Sequence, residues 1–307
     1  MTPPRQPPPT HRTNGADDPP PAALTGAVGH YENFPVASWL CPPALRPPIV
    51  AIYHFARSAD DIADEGDAPA ETRLSLLADM RRDLLAAADG RWQDSARPGL
   101  FEPLAHAIAT HALPVPLLGD LLSAFEQDVR HTASGHRYGD LDELLHYCRL
   151  SANPVGRLLL HLYGIGDDRS LRQSDAVCSA LQLINFWQDI SRDHARGRHY
   201  LPAGVLARHG VRIEDFAPQS DNDHCAAVVR ELCEDARQRM VRGAPLATRV
   251  PGRAGWELRL VVQGGLRILE HCAALHWRTW RTRPRLRRSD LPVLLWRALR
   301  QRRAPPA

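Results

Sequence analysis

Two pairs of aspartates stand four residues apart in segments that otherwise read as apolar helix. They are Asp60 and Asp64 in Arg57-Ser-Ala-Asp60-Asp61-Ile-Ala-Asp64-Glu65, and Asp189 and Asp193 in Asp189-Ile-Ser-Arg-Asp193. On an α-helix that spacing stacks two carboxylates on one face. The repulsion costs about 0.2–0.5 kcal/mol on an exposed face and more in a cavity. The first run follows Ile49-Val-Ala-Ile-Tyr-His-Phe-Ala56, which reads as core. The second extends backwards by helical steps through Asn185 and Gln182, so one polar stripe crosses a helix rich in Leu181, Leu183, Ile184, Phe186, Trp187 and Ile190. So many apolar neighbours leave little room for a solvent face. A chain carrying two such helices is constrained to bring something cationic to both.

The donor chemistry narrows the cation. Oxygen-only ligands suit a hard ion, and two carboxylate clusters across a cavity suit Mg²⁺ shared with a phosphate group. Zinc would call for His or Cys at close spacing, and neither HExxH nor CxxC occurs. A di-iron bundle would need two Glu-x-x-His units, and only Glu143-Leu-Leu-His146 has that form. No GxGxxG follows a strand pattern, so a nicotinamide cofactor has no support. All 38 Lys+Arg residues are arginine. The lack of lysine excludes a Walker-type phosphate loop and a Schiff-base or pyridoxal lysine. It also makes arginine-richness weak evidence for nucleic-acid binding.

Nearly every segment after residue 29 repeats with period 3.6, and strand-like alternation is scarce. Helices are expected near 31–40, 47–65, 70–89, 98–111, 114–130, 140–163, 171–193, 222–242, 253–277 and 289–303, separated by Pro, Gly or Asp. The fold class is therefore all-α: one domain over 29–303, preceded by a Pro-rich disordered tail over 1–28 and followed by a short tail over 304–307. The first residues lack the apolar core of a signal peptide, and no apolar stretch approaches the roughly 20 residues of a membrane span. Six cysteines without CxxC pairing suit a reduced, cytoplasmic setting.

Beyond the second acid pair lie Arg192, Arg196 and Arg198 around a helix-ending Gly197. Arg196 and Arg198 are candidates to bind a diphosphate; Arg57 and His30 are weaker ones. The C-terminal stretch from Arg281 to Arg303 is strongly basic, with Leu291, Leu294, Leu295, Trp296 and Leu299 on its apolar side. It reads as a terminal helix packed on the domain, and its composition also suits peripheral contact with an acidic membrane surface.

With these residues in view, the chain resembles the squalene and phytoene synthase family. The likeness rests on His30-Tyr-Glu-Asn-Phe-Pro-Val-Ala-Ser38, Ala56-Arg-Ser-Ala-Asp-Asp-Ile-Ala-Asp-Glu65, Ser151-Ala-Asn-Pro-Val-Gly156 and Asn185-Phe-Trp-Gln-Asp189. These segments look most like the bacterial branch that makes hydroxysqualene on the route to squalene and hopanoids. The resemblance implies an isoprenoid synthase fold, with helices around a central apolar cavity. It implies Mg²⁺ held by Asp60, Asp64, Asp189 and Asp193, with Asp61 and Asn185 as helpers. It gives His30, Arg57, Asn185, Arg196 and Arg198 to the diphosphate substrate, and Tyr147 to the reaction cavity. The implied reaction is ionisation of presqualene diphosphate, carbocation rearrangement and capture by water, with handover to other squalene-pathway enzymes and no nucleic-acid partner. Head-to-head condensation of prenyl diphosphates is the alternative within the family; a non-enzymatic basic helical protein that binds membrane or nucleic acid is the alternative outside it.

The sequence departs from condensing relatives at Asn153-Pro154, where they carry a small Gly-rich turn. Proline inside a helix removes one hydrogen bond and clashes with the carbonyl four residues back, here Leu150, costing roughly 3 kcal/mol. Asn153 and the freed Leu150 carbonyl are expected to hold the capturing water, which makes Asn153 a candidate catalytic residue beside Tyr147 and Arg57.

Overall fold

Helical periodicity becomes helix throughout the computed structural model, which describes residues 41–301; no strand occurs among these residues. They all lie in one unit, Val36–Ala307. His30, the expected helix over 31–40 and both expected tails lie outside the described residues.

The first aspartate pair ends α1, Arg46–Asp64. Proline in its first turn sits where a missing N–H costs nothing. Ala51, Ile52, Phe55, Ala59 and Ala63, three or four apart, are buried. With α2 (Ala70–Ala88), α3 (Pro98–His111) and α4 (Val115–Ser134), α1 encloses one apolar core around Phe55, Leu77, Met80, Phe101, Leu104, Leu118 and Leu122. Arg73 ties the start of α2 back to the end of α1 by donating to the carbonyls of Ile62 and Ala63.

The second pair belongs to a second core. Here α7 (Asp168–Gln188) packs along α10 (Asp223–Gly243) and α12 (Gly252–Ala274). Leu183, Trp187, Val228, Val229, Met240, Val262 and Leu269 fill the space between them. The helices approach so closely at Gly243 that a Cβ there would lie 2.6 Å from the Gln173 carbonyl oxygen and from Val177. The short helices α5 (Leu141–Ser151) and α6 (Asn153–Leu162) connect the two cores, since α4 packs on both and both pack on α7. Asp140 caps α5 by accepting the Glu143 N–H, and Asp167 caps α7 by accepting that of Ser170. The remaining helices are α8 (Ile190–Ala195), α9 (Ala203–Arg208), α11 (Leu246–Arg249) and α13 (Leu291–Arg300). None of the described helices is long and apolar enough to cross a membrane. All six cysteines are buried free thiols.

Two long helices expected from periodicity are broken. The segment 140–163 divides at Ala152, and Pro154 falls in the first turn of α6. In that position proline forfeits no internal hydrogen bond, so the chain restarts a helix instead of bending one. The segment 171–193 divides at Asp189, whose φ of −104° and ψ of 15° close α7 before α8 begins. The stripe survives the break, because the Asp193 N–H still bonds the Asp189 carbonyl at 2.9 Å. The expected 253–277 helix stops at Ala274, and His276 and Trp277 take positive φ.

Candidate active site

Asp64 is the last residue of α1, and Asp189 is the cap that follows α7. Helix C-termini carry partial negative charge, so Asp64 and Asp189 close their helices where a carboxylate is unwelcome, although Asp189 also caps α8 and Asp193 lies in its first turn. Such an arrangement persists only with cations nearby, and arginines supply them. Arg57 Nη1 donates to Asp60 Oδ2 at 2.8 Å, while its Nη2 pairs with Asp61 at 2.5 Å and Glu65 at 2.8 Å. Arg283 grips Asp189 with Nε at 2.5 Å and Nη2 at 3.0 Å, both side chains being 13% exposed. Arg192 lies 3.6 Å from Asp189.

Arg198 joins the two runs. It follows the second acid pair in sequence, yet its Nη1 donates to Asp64 Oδ2 at 3.0 Å and its Nη2 pairs with Asp64 Oδ1. The first and second acid runs therefore share one place. Their electrostatics agree: burial first, then the repulsion of Asp64, pushes Asp60 up to about 6 against the pull of Arg57. Burial, with Asp189 next, pushes Asp193 up to about 7, and Asp64 adds to that rise. Asp61 is raised by burial against Arg57. Burial pulls Arg198 down, but the hydrogen bond and charge of Asp64, together with Tyr200 and Asp128, outweigh it and leave it raised.

The donors suit a hard divalent ion. Among the described residues no group of three or more His, Cys, Asp or Glu side chains is placed to hold a metal ion by itself. Mg²⁺ commonly takes one or two carboxylates and completes its shell with water and substrate phosphate. Asp60, Asp64, Asp189 and Asp193 fit that pattern, and the raised Asp60 and Asp193 are the groups a cation would relieve most. Gln182 and Asn185 are half-buried, in phase with Asp189 and Asp193, as the stripe requires. Arg196 is exposed, and its charge is felt at Asp193.

An aromatic wall adjoins the carboxylates. Phe186, Trp187 and Tyr200 line one pocket together with Asp193 and Arg198. Phe186 and Tyr200 stack with ring centres 3.8 Å apart. The Tyr147 ring lies 6.2 Å from each of Tyr138, Phe186 and Tyr200. Asn153, at the start of α6, is buried and accepts a hydrogen bond from Ser179 Oγ at 2.9 Å.

Three features escaped the sequence reading. Asp128 on α4 is buried and accepts the Tyr147 hydroxyl at 2.7 Å. Its signal was there: it continues the buried stripe of Leu118, Leu121, Leu122 and Ala124. Arg283 lies in the basic stretch near the C-terminus, and local pattern has no means of pairing it with Asp189. The ring formed by Tyr138, Phe186 and Tyr200 comes from three separated segments, so only packing reveals it.

The squalene/phytoene synthase family model matches residues 27–290. The hydroxysqualene synthase of Rhodopseudomonas palustris is 36% identical over 239 residues, covering 77% of this chain and 78% of that one. That of Zymomonas mobilis is 38% identical over 220 residues, covering 70% and 68%. The crystal structure of squalene synthase HpnC from Alicyclobacillus acidocaldarius superposes with a TM-score of 0.73 at 35% identity, covering 81% of this chain and 90% of that one. A dehydrosqualene synthase structure at 19% identity and TM-score 0.69 shares the isoprenoid synthase fold.

Proposed function

We propose, because this chain belongs to the squalene/phytoene synthase family, that it ionises presqualene diphosphate and captures the rearranged carbocation with water, yielding hydroxysqualene and diphosphate. The observation that carries this reading is the bridge from Arg198 to Asp64, which sets both acid runs and their arginines around one position. The names of the curated relatives support the choice of product.

Asp60, Asp64, Asp189 and Asp193 would hold Mg²⁺. When bound, the metal supplies positive charge that stabilises the departing diphosphate. Arg198 and Arg283, engaged with Asp64 and Asp189, would be the cations nearest to a diphosphate held by those carboxylates through metal. Arg57 orders Asp60 and Asp61, and Arg196 adds exposed positive charge beside Asp193. His30, outside the described residues, remains a candidate for the diphosphate. The rings of Phe186, Tyr200 and Tyr147 exclude bulk water, and their faces are suited to a cation. Asn153 keeps its amide N–H groups for a water, its carbonyl being taken by Ser179.

Purified protein with Mg²⁺ is expected to convert presqualene diphosphate to hydroxysqualene without a reductant. Product identification by mass spectrometry, with farnesyl diphosphate in a parallel reaction, tests this. Consumption of farnesyl diphosphate alone would assign the chain to the condensing branch instead.

Peripheral contact with an anionic bilayer fits the same chemistry, since substrate and product are long apolar chains. On α13, Leu294 and Ala298 pack inward, while Leu291, Leu295, Trp296 and Leu299 are 46–64% exposed. Arg285, Arg287, Arg288 and Arg300 are exposed around them, and Arg300 covers the Trp296 ring at 3.9 Å. The sole acid between Arg281 and Gln301 is Asp290, which is buried. Apolar burial and charge attraction therefore act together. Vesicles containing a quarter phosphatidylglycerol are expected to co-sediment the protein at least tenfold better than neutral ones, and Trp296→Glu to abolish the difference. Equal sedimentation with both vesicles would refute the contact.

A further inference from the structure

Beside the acid runs lies a carboxylate that belongs to neither. Asp128 is 8% exposed, and its one hydrogen-bond donor among the described residues is the Tyr147 hydroxyl, at 2.7 Å. An ionised carboxylate offers about four acceptor sites, so a buried one with a single donor is poorly satisfied and ready to take a proton. Burial pushes Asp128 up to about 7 against the Tyr147 hydrogen bond; Arg198 pulls it down, while Asp64 and Asp60 push it up. Arg198 and Asp64 form the link between the acid runs, so Asp128 senses its charge without touching it.

Tyr147 cannot do this alone. Burial, with Asp128 next, raises its phenol well above the ordinary value, which makes a free phenolate inaccessible near neutral pH. The Tyr147 oxygen can accept a proton only while giving its own away, and Asp128 is the group positioned to receive it. Tyr138 and Tyr200, whose rings flank Tyr147, are likewise raised by burial and offer no better acceptor.

We propose that Asp128 is the final acceptor of the proton released when water captures the carbocation, with the Tyr147 hydroxyl as relay; this role rests on the reaction proposed above. Water oxygen donates an electron pair to the cationic carbon, and one water O–H bond breaks. That proton moves to Tyr147 Oη as the phenolic proton moves to Asp128 Oδ2. The cation and the carboxylate become a neutral alcohol and a neutral carboxylic acid, and Asp128 returns its proton to solvent before the next turnover. Without this acceptor, the cation instead loses a C–H proton to the departing diphosphate and leaves as hydrocarbon.

The ratio of alcohol to hydrocarbon tests the role, measured on the Mg²⁺-loaded protein with presqualene diphosphate. Asp128→Asn and Tyr147→Phe are each expected to lower it at least tenfold, whereas a purely structural role would reduce all products in proportion. An unchanged ratio in either variant overturns the proposal and leaves the departing diphosphate as acceptor. If neither variant folds, the unmodified protein in H₂O–D₂O mixtures decides: two protons moving together require the ratio to fall along a bowed curve as deuterium rises, and a linear fall or an unchanged ratio rejects the relay. Absence of alcohol from the unmodified protein overturns the reaction and this role together. Alcohol formation with an unchanged ratio in the variants overturns the role alone.

Discussion

Asp64→Asn is expected to lower diphosphate release from presqualene diphosphate by roughly 10³-fold, about 4 kcal/mol of transition-state stabilisation. Asp189→Asn should do the same. Ionisation places a new charge on the leaving group, and the residues able to stabilise it are those that hold metal and arginine around it. Each aspartate also positions an arginine, Arg198 on Asp64 and Arg283 on Asp189, so one substitution disturbs two parts of the clamp. Folding should survive. Asp64 contributes to the strain on Asp60, and asparagine keeps the acceptor that Arg198 needs while removing that repulsion. Thermal unfolding is therefore expected to change by no more than about 1 kcal/mol, in keeping with the trade between stability and activity at charged sites. A coupled assay for released diphosphate checks the first value. Retention of more than a tenth of the activity would place the chemistry elsewhere.

The largest effect on stability is expected at Asp290, which anchors the segment that follows Arg283. Asp290 is 2% exposed. Its Oδ1 accepts Arg267 Nε at 2.8 Å, and its Oδ2 accepts the Arg287 N–H at 2.7 Å and pairs with His271 Nε2 at 3.0 Å. The segment it anchors is also held by Trp280, which donates to the Ser220 carbonyl, and by Gln188, which donates to the Pro284 carbonyl. Removing one partner of a buried charged pair costs roughly 3–5 kcal/mol. Arg267 and His271 keep some solvent, being 27% and 22% exposed, so Asp290→Ala should fall at the lower end, near 3 kcal/mol by urea unfolding. Burial pushes the Asp290 carboxyl up, but the Arg287 N–H, Arg267 and His271 outweigh it and hold the group well below the usual carboxylate range. A depressed carboxylate contributes stability that is complete above its unfolded value, near 4, and is lost as pH falls through its folded value. The gap between the unmodified protein and the variant should thus narrow below pH 4. A gap under 1 kcal/mol at neutral pH, or one that widens in acid, would contradict this account.

Much of the fold was legible because α-helices are local. Phe55, Ala59 and Ala63 declare a buried face by spacing alone, and Pro98, Pro114 and Gly135 mark where helices start and stop. Where local pattern misled, the cause was also specific. Apolar periodicity runs unbroken through 140–163, but Pro154 is better accommodated as the start of a helix than as the interior of one. The acid pairs were legible for the opposite reason: Asp60 and Asp189 violate the periodicity around them, and an ion in an apolar face demands a partner. Asp128 violates it too, but a single acid without a pair carries no such demand in the sequence.

The two Asp-x-x-x-Asp runs, the cation they require and the all-helical class followed from the sequence alone, because each depends on residues within one or two helical turns. Which arginine answers which aspartate did not. Arg198 reaches Asp64 across 134 positions and Arg283 reaches Asp189 across 94. Such choices depend on how two cores pack against each other, and the free energy of that packing is spread over many contacts with no local signature. Only the tertiary structure decided that the ends of α1 and α7, both negative by helix dipole and by side chain, would meet around shared cations, with Asp128 and Tyr147 close by.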